Sequence, residues 1–185
     1  MKSRLWLVFA FFLITTSARA DTPVNLIPNG NFATSLDGWT CNGTCSWTSQ
    51  GASEDGTGAI DIPGGGASLL DSSCFAIQPQ TVYDVSFDAW ANVGPIGGDF
   101  NLFCWAYTDS DCTSATGDFS YMPLPYFGMG WQGTQGQHVS GATGRYAMCE
   151  VNFSAHGAEM RMDNFVFAFD HPLDGIYADG FEVTP

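Results

Sequence analysis

The stretch TVYDVSFDAWANV, Thr81 to Val93, alternates Tyr83, Val85, Phe87, Ala89 and Ala91 with Asp84, Ser86, Asp88 and Trp90. A period of two sends the first set to one face of a pleated strand and the second to the other, so the segment predicts a β-strand with the Tyr83 set in the core. Residues 144 to 154 repeat the pattern, with Ala147, Cys149, Val151 and Phe153 opposite Tyr146, Met148, Glu150 and Asn152. Residues 159 to 169 put Phe165, Phe167 and Phe169 on one face. Residues 99 to 107 are apolar on both faces, Phe103, Trp105 and Tyr107 against Phe100, Leu102, Cys104 and Ala106. Such a strand is buried twice or binds something.

Shorter strands are expected at Val24 to Ile27, Cys45 to Ser49, Gly58 to Ile62, Ala67 to Ile77 and Trp131 to Ser140. Glycine and proline punctuate the chain at short intervals, and nowhere do apolar residues recur at helical spacing for three turns. The fold class is therefore all-β, a two-sheet antiparallel sandwich stapled by disulfides. Residues 118 to 130, DFSYMPLPYFGMG, read as a loop whose Tyr121, Met122, Tyr126, Phe127 and Met129 fold over a sheet edge or form a binding surface.

Lys2 and Arg4 precede an apolar run from Leu5 to Ile14, and Ala18-Arg19-Ala20 offers a small-residue cleavage site. Residues 1–20 thus read as a signal peptide cleaved near Ala20, giving a secreted or periplasmic chain. The run is too short to span a bilayer, so no membrane insertion is expected. Residues 21–170 form one domain, and 171–185 an acidic, glycine-containing tail. Beyond the leader the basic residues are Arg145 and Arg161, against nineteen acidic ones. Phosphate backbones repel such a surface, which excludes nucleic acid as a partner.

Six cysteines, Cys41, Cys45, Cys74, Cys104, Cys112 and Cys149, all follow the cleavage site, and an even number in an exported chain reads as three disulfides. Fifteen pairings are possible. Proximity suggests Cys41 with Cys45 and Cys104 with Cys112, which leaves Cys74 with Cys149 as a long-range staple.

Four segments together resemble a known group. NLIPNGNFATSLDGWT (Asn25 to Thr40), IQPQTVYDVSFDAWA (Ile77 to Ala91), the late Trp131 and RMDNFVF (Arg161 to Phe167) resemble, in that order, the galactose-binding-like jelly rolls. The likeness is greatest to carbohydrate-binding modules of families four and nine and their exported bacterial relatives, and it covers residues 25 to 169. SSCFAIQP and FNLFCWAYTDSDC further resemble an exported subgroup with cysteines at those places. The resemblance implies a jelly roll with Trp39 and Trp131 in its core. It also implies a structural calcium between the opening segment and the last strand. Asp163 matches one ligand, and Ala33 stands where the group carries a second acid. Backbone carbonyls near Asn31 could serve instead, or Asp163 could accept hydrogen bonds from the opening segment without metal.

The group mostly binds glycans on aromatic platforms, where the apolar face of a pyranose stacks on Trp or Tyr while carboxylates and amides bind its hydroxyls. Candidate ligand residues are Asp88, Trp90, Glu150 and Asn152 on the outward face of adjacent strands, with Trp105 or Tyr107 beside them. The alternative platform is Tyr121, Tyr126 and Phe127. Catalytic residues are not expected: there is no GxSxG, HExxH or P-loop motif, and His138, His156 and His171 read as ordinary surface or edge residues. The alternative function is an adhesion or envelope module that holds a protein partner, and IYADGFE (Ile176 to Glu182) resembles a tail of exported Gram-negative proteins. A glycan-active enzyme ranks behind both.

Overall fold

A computed structural model describes residues 24–52, 58–63, 67–92, 100–124, 130–154 and 159–173. Every regular element among them is a strand: β1 Trp39–Asn42, β2 Ser46–Thr48, β3 Ala59–Ile62, β4 Ala67–Ser72, β5 Phe75–Ala76, β6 Thr81–Ala91, β7 Phe100–Tyr107, β8 Ala115–Leu124, β9 Gly130–Ser140, β10 Tyr146–Ser154 and β11 Met160–Pro172. They form two antiparallel sheets. The first runs β1-β4-β10-β7-β8, with β5 also on β10; the second runs β2-β3-β11-β6-β9. Their inner faces enclose one core, to which β6 gives Tyr83, Val85, Phe87, Ala89 and Ala91 as its alternation required. Leu102, Cys104 and Ala106 of β7 and Ala147, Cys149 and Val151 of β10 meet them from the other sheet.

The last strand departs from simple alternation. Met160 and Met162 face the core, and so do Phe165 and Phe167. A bulge between Asp163 and Val166, with Asn164 at φ 52°, inserts the residue that restores the inward phase. Phe169 does not join them: paired opposite Tyr83 of β6, it is 42 % exposed, its ring edge-on to that of Tyr83.

The opening segment forms no strand, only an isolated bridge from Asn25 to Ala168. Asn25 does the work of a strand with its side chain, accepting from the Phe167 N–H at 2.9 Å and donating to the Phe165 carbonyl at 2.7 Å. Gly30 lies so close to β11 that a Cβ there would sit 2.1 Å from the Phe165 carbonyl. Phe32, Trp39 and Phe165 then pack ring against ring under this segment.

Three other expectations change. The run Ala67 to Ile77 splits into β4 and β5, because the Ser73 N–H turns away to the Gly38 carbonyl. Residues 118 to 124 are strand and not loop: β8 pairs with β7, and its Met122 enters the core beneath Gly136. The disulfides are Cys41–Cys45 as expected, but then Cys104–Cys149 and Cys74–Cys112. Cys104 and Cys149 are register partners on β7 and β10, with Cα atoms 4.1 Å apart and both fully buried. Strand pairing therefore outranks sequence proximity, and Cys112, at the tip of the β7–β8 hairpin, reaches Cys74 instead.

Candidate functional site

On the outer face of the first sheet, β7 and β8 pair Phe103 with Tyr121 and Trp105 with Phe119. Side chains opposite each other in an antiparallel ladder share a face, so all four rings are gathered there. Trp105 and Phe119 lie 5.0 Å apart with planes at 25°, and Phe103 and Tyr121 5.0 Å apart at 31°. Phe103 and Trp105 close the group at 6.4 Å and 23°. Phe119 and Tyr121 are 55 % and 49 % exposed, unusual for rings that have a core available beneath them. The near-parallel planes make a platform.

The neighbouring strands continue these rows with polar groups. Glu150 of β10 is opposite Phe103 on one side and Asp71 of β4 on the other, giving the row Asp71, Glu150, Phe103, Tyr121. Two residues along, Asn152 faces Asn101, whose side-chain oxygen accepts the Tyr121 hydroxyl at 2.6 Å. Partial burial raises the pKa of Asp71, and burial together with the charge of Asp71 raises that of Glu150. Tyr107 is raised by burial and then by Glu150, Asp71 and Asp109. Asn42 donates to one oxygen of Asp71 at 3.3 Å, while Asp71 Oδ1 is buried with no hydrogen-bond partner.

The candidate residues divide between the two sheets. Trp105, Glu150, Asn152 and Tyr121 come together on the first, and Tyr107 is nearby but only 8 % exposed, packed at the sheet end. Asp88 and Trp90 belong to β6 and face outward from the second sheet, on the opposite side of the sandwich. The expectation that all these residues lie on adjacent strands fails, because β6 and β10 never pair. The Arg161 guanidinium sits 4.4 Å over the Trp90 ring, bound also to Asp61, Glu159 and Gln50. Trp131 pairs with Trp90 and shares that outer face, half-buried and not in the core. Asp88 accepts the Asn164 amide at 2.8 Å. Tyr126 and Phe127 lie outside the described residues, as do the leader, His156 and the tail beyond residue 173.

Sequence reasoning left Phe103, Phe119, Asp71 and Asn101 out of the site. The signal for the rings was present: aromatics alternate at 103 and 105 before the Cys112 turn and at 119 and 121 after it, as a hairpin requires. Pro123 and Pro125 obscured it by suggesting a loop.

Among the described residues no group of three or more His, Cys, Asp or Glu side chains converges as a metal site. Asp163 is fully buried; its oxygens accept the Ala52 and Asn164 N–H groups, both at 2.7 Å. Asn31 is exposed in the opening turn. Backbone N–H donors at the carboxylate suit a hydrogen-bonded staple, whereas calcium asks for a shell of oxygens. His138, expected at the surface, is fully buried on β9 against Tyr83 and Phe167, with Nδ1 3.3 Å from Ser120 Oγ.

Residues 24–111, just under half of the chain, match the family 4/9 model described as a carbohydrate binding domain. Among solved structures, the chain is similar to the enzymatically active domain of tailspike protein 4 of bacteriophage CBA120, with 14 % identity, TM-score 0.64 and 79 % of this chain covered. It spans about a fifth of that protein's length, 21 %. It is similar to TmCBM61, solved with β-1,4-galactotriose, at 16 % identity and TM-score 0.61, covering 80 % of this chain and 99 % of that one. A cyclase from Fischerella sp. TAU, solved with an indolyl butanone, matches at 13 % identity and TM-score 0.54, covering 80 % and 98 %. The jelly-roll resemblance read from the sequence is thus met by a family model and by solved structures, and the same sandwich serves both binding modules and an enzyme. No curated protein sequence matches the chain.

Proposed function

We propose that this chain is an exported, non-catalytic module that binds carbohydrate on the outer face of its first sheet. The observation that carries the reading is the platform of Phe103, Trp105, Phe119 and Tyr121, continuous with Glu150, Asn101 and Asn152. The C–H face of a pyranose stacks on such rings, and its hydroxyls donate to the carboxylate and exchange hydrogen bonds with the amides. The carbohydrate binding domain match supports the ligand class. Three closed disulfides and the leader-like first twenty residues support export to the periplasm or beyond. On this reading Asp88 and Trp90 belong to a supporting face, and Asp163 joins the Ala52 loop to β11 through hydrogen bonds with no calcium required.

A glycan array and pull-downs on insoluble polysaccharides, run on the oxidised chain with calcium and with chelator, test the reading. Binding that Trp105→Ala abolishes in a folded protein supports it. Failure across the array, with the platform retained by a protein surface, overturns it in favour of the adhesion reading.

A further inference from the structure

The two outer faces carry the same motif in different states of completion. On the second sheet the row Asp61, Arg161, Trp90, Trp131 is in register across four strands, and the Arg161 guanidinium lies between the Asp61 carboxylate, at 3.3 Å, and the Trp90 ring, at 4.4 Å. A cation is held there between a carboxylate and an aromatic face. On the first sheet the row Asp71, Glu150, Phe103, Tyr121 repeats the order of carboxylate and aromatic, with a second carboxylate in place of the arginine. Among the described residues no Lys or Arg serves this row: the two arginines there are Arg161, on the other sheet, and Arg145, whose Nη1 is bound to the Ala142 and Gly144 carbonyls of its own turn.

Resting on the glycan reading of this face, we infer that its ligand is a glycan bearing protonated amines, of the glucosamine type, whose ammonium group takes beside Glu150 and Phe103 the place that Arg161 takes beside Asp61 and Trp90. Two independent features point to a cation there. The exposed rings of the platform attract one through their faces. The facing carboxylates of Asp71 and Glu150 repel each other, so a positive charge entering beside Glu150 relieves that repulsion. The groups that face this position are Asp71 from β4, Asn42 from β1, Glu150 from β10, and Phe103 and Tyr107 from β7. All are acidic, neutral or aromatic, so uronate and sulfated glycans are excluded by the same field.

Isothermal titration of the oxidised chain with a glucosamine tetramer, its fully N-acetylated counterpart and a galacturonate tetramer, at about pH 6 where the amines are protonated, tests the inference. The expected order is amine above acetylated by about tenfold or more, with no binding of the uronate. Glu150→Gln, which keeps shape and removes charge, should abolish the preference while acetylated oligomer still binds. Equal affinity for the amine-bearing and the N-acetylated oligomers, lost in Trp105→Ala, overturns the inference and leaves the glycan reading standing. An amine preference that survives both Glu150→Gln and Trp105→Ala is diffuse attraction to an acidic protein and also overturns it. Binding of none of the three overturns it outright, and the glycan reading is then decided by the array.

Discussion

Trp105 and Phe119 are register partners across the β7–β8 hairpin, with ring centroids 5.0 Å apart and planes 25° from parallel, on the solvent side of the first sheet. Phe119 is more than half exposed, so it contributes little to the core. Phe119→Ala should therefore lower stability by about 1 kcal/mol or less, measured by urea unfolding, while weakening glycan binding about tenfold. A large stability loss with unchanged binding would remove Phe119 from the platform.

Trp90 makes the opposite prediction. Its ring carries Arg161 on the far side of the sandwich. Trp90→Ala should leave titrated affinity for glycan within about twofold and cost about 1–2 kcal/mol through lost packing and the lost cation contact.

The disulfide Cys104–Cys149 spans 45 residues in the centre of the first sheet. Replacing both cysteines by alanine should cost about 2–5 kcal/mol. Proteolytic mapping of the oxidised chain should return Cys74 linked to Cys112, and a Cys74–Cys149 fragment would contradict the strand register itself.

His138 makes the fold sensitive to acid. Burial holds its imidazole down at about 4 against smaller upward pulls from Asp118 and the Cys104 carbonyl, while an exposed histidine titrates near 6.5. The unfolded chain therefore binds the proton first on acidification. Stability from this group is complete above about pH 6.5, falls as the pH drops, and levels off below about 4, an effect on the order of 3 kcal/mol. Asp71 and Glu150, raised in the fold, act in the other direction, losing stability as pH rises through their titration. The histidine contribution is isolated by comparing chain and His138→Phe: the difference in unfolding free energy should change between pH 6.5 and 4 and stay flat above.

Asp163→Ala should cost about 3 kcal/mol, because it strips the acceptor from the Ala52 and Asn164 N–H groups inside the protein. The melting temperature of the unmodified chain should not move on adding chelator. A drop with chelator, restored by calcium, would assign Asp163 to a metal site instead.

The sequence by itself determined that this chain is an all-β sandwich and which face of β6 and of β10 turns inward. That information is local: Tyr83, Val85 and Phe87 alternate with polar residues, and a period of two admits only one pleated arrangement that buries them. It also set residues 100–107 apart as a strand apolar on both faces, leaving open whether that strand is buried twice or binds something. What it left open depended on which strands become neighbours. Glu150 and Trp90 carry equal promise when read along the chain, yet they lie on opposite sides of the molecule because β10 joins β7 while β6 joins β9 and β11. The pairing of Cys104 with Cys149, the burial of His138 and the meeting of Phe103 with Glu150 are decided in the same way. Contacts across a sheet are long-range in sequence, and the order of strands follows from closing a single core between two sheets, which no individual segment encodes.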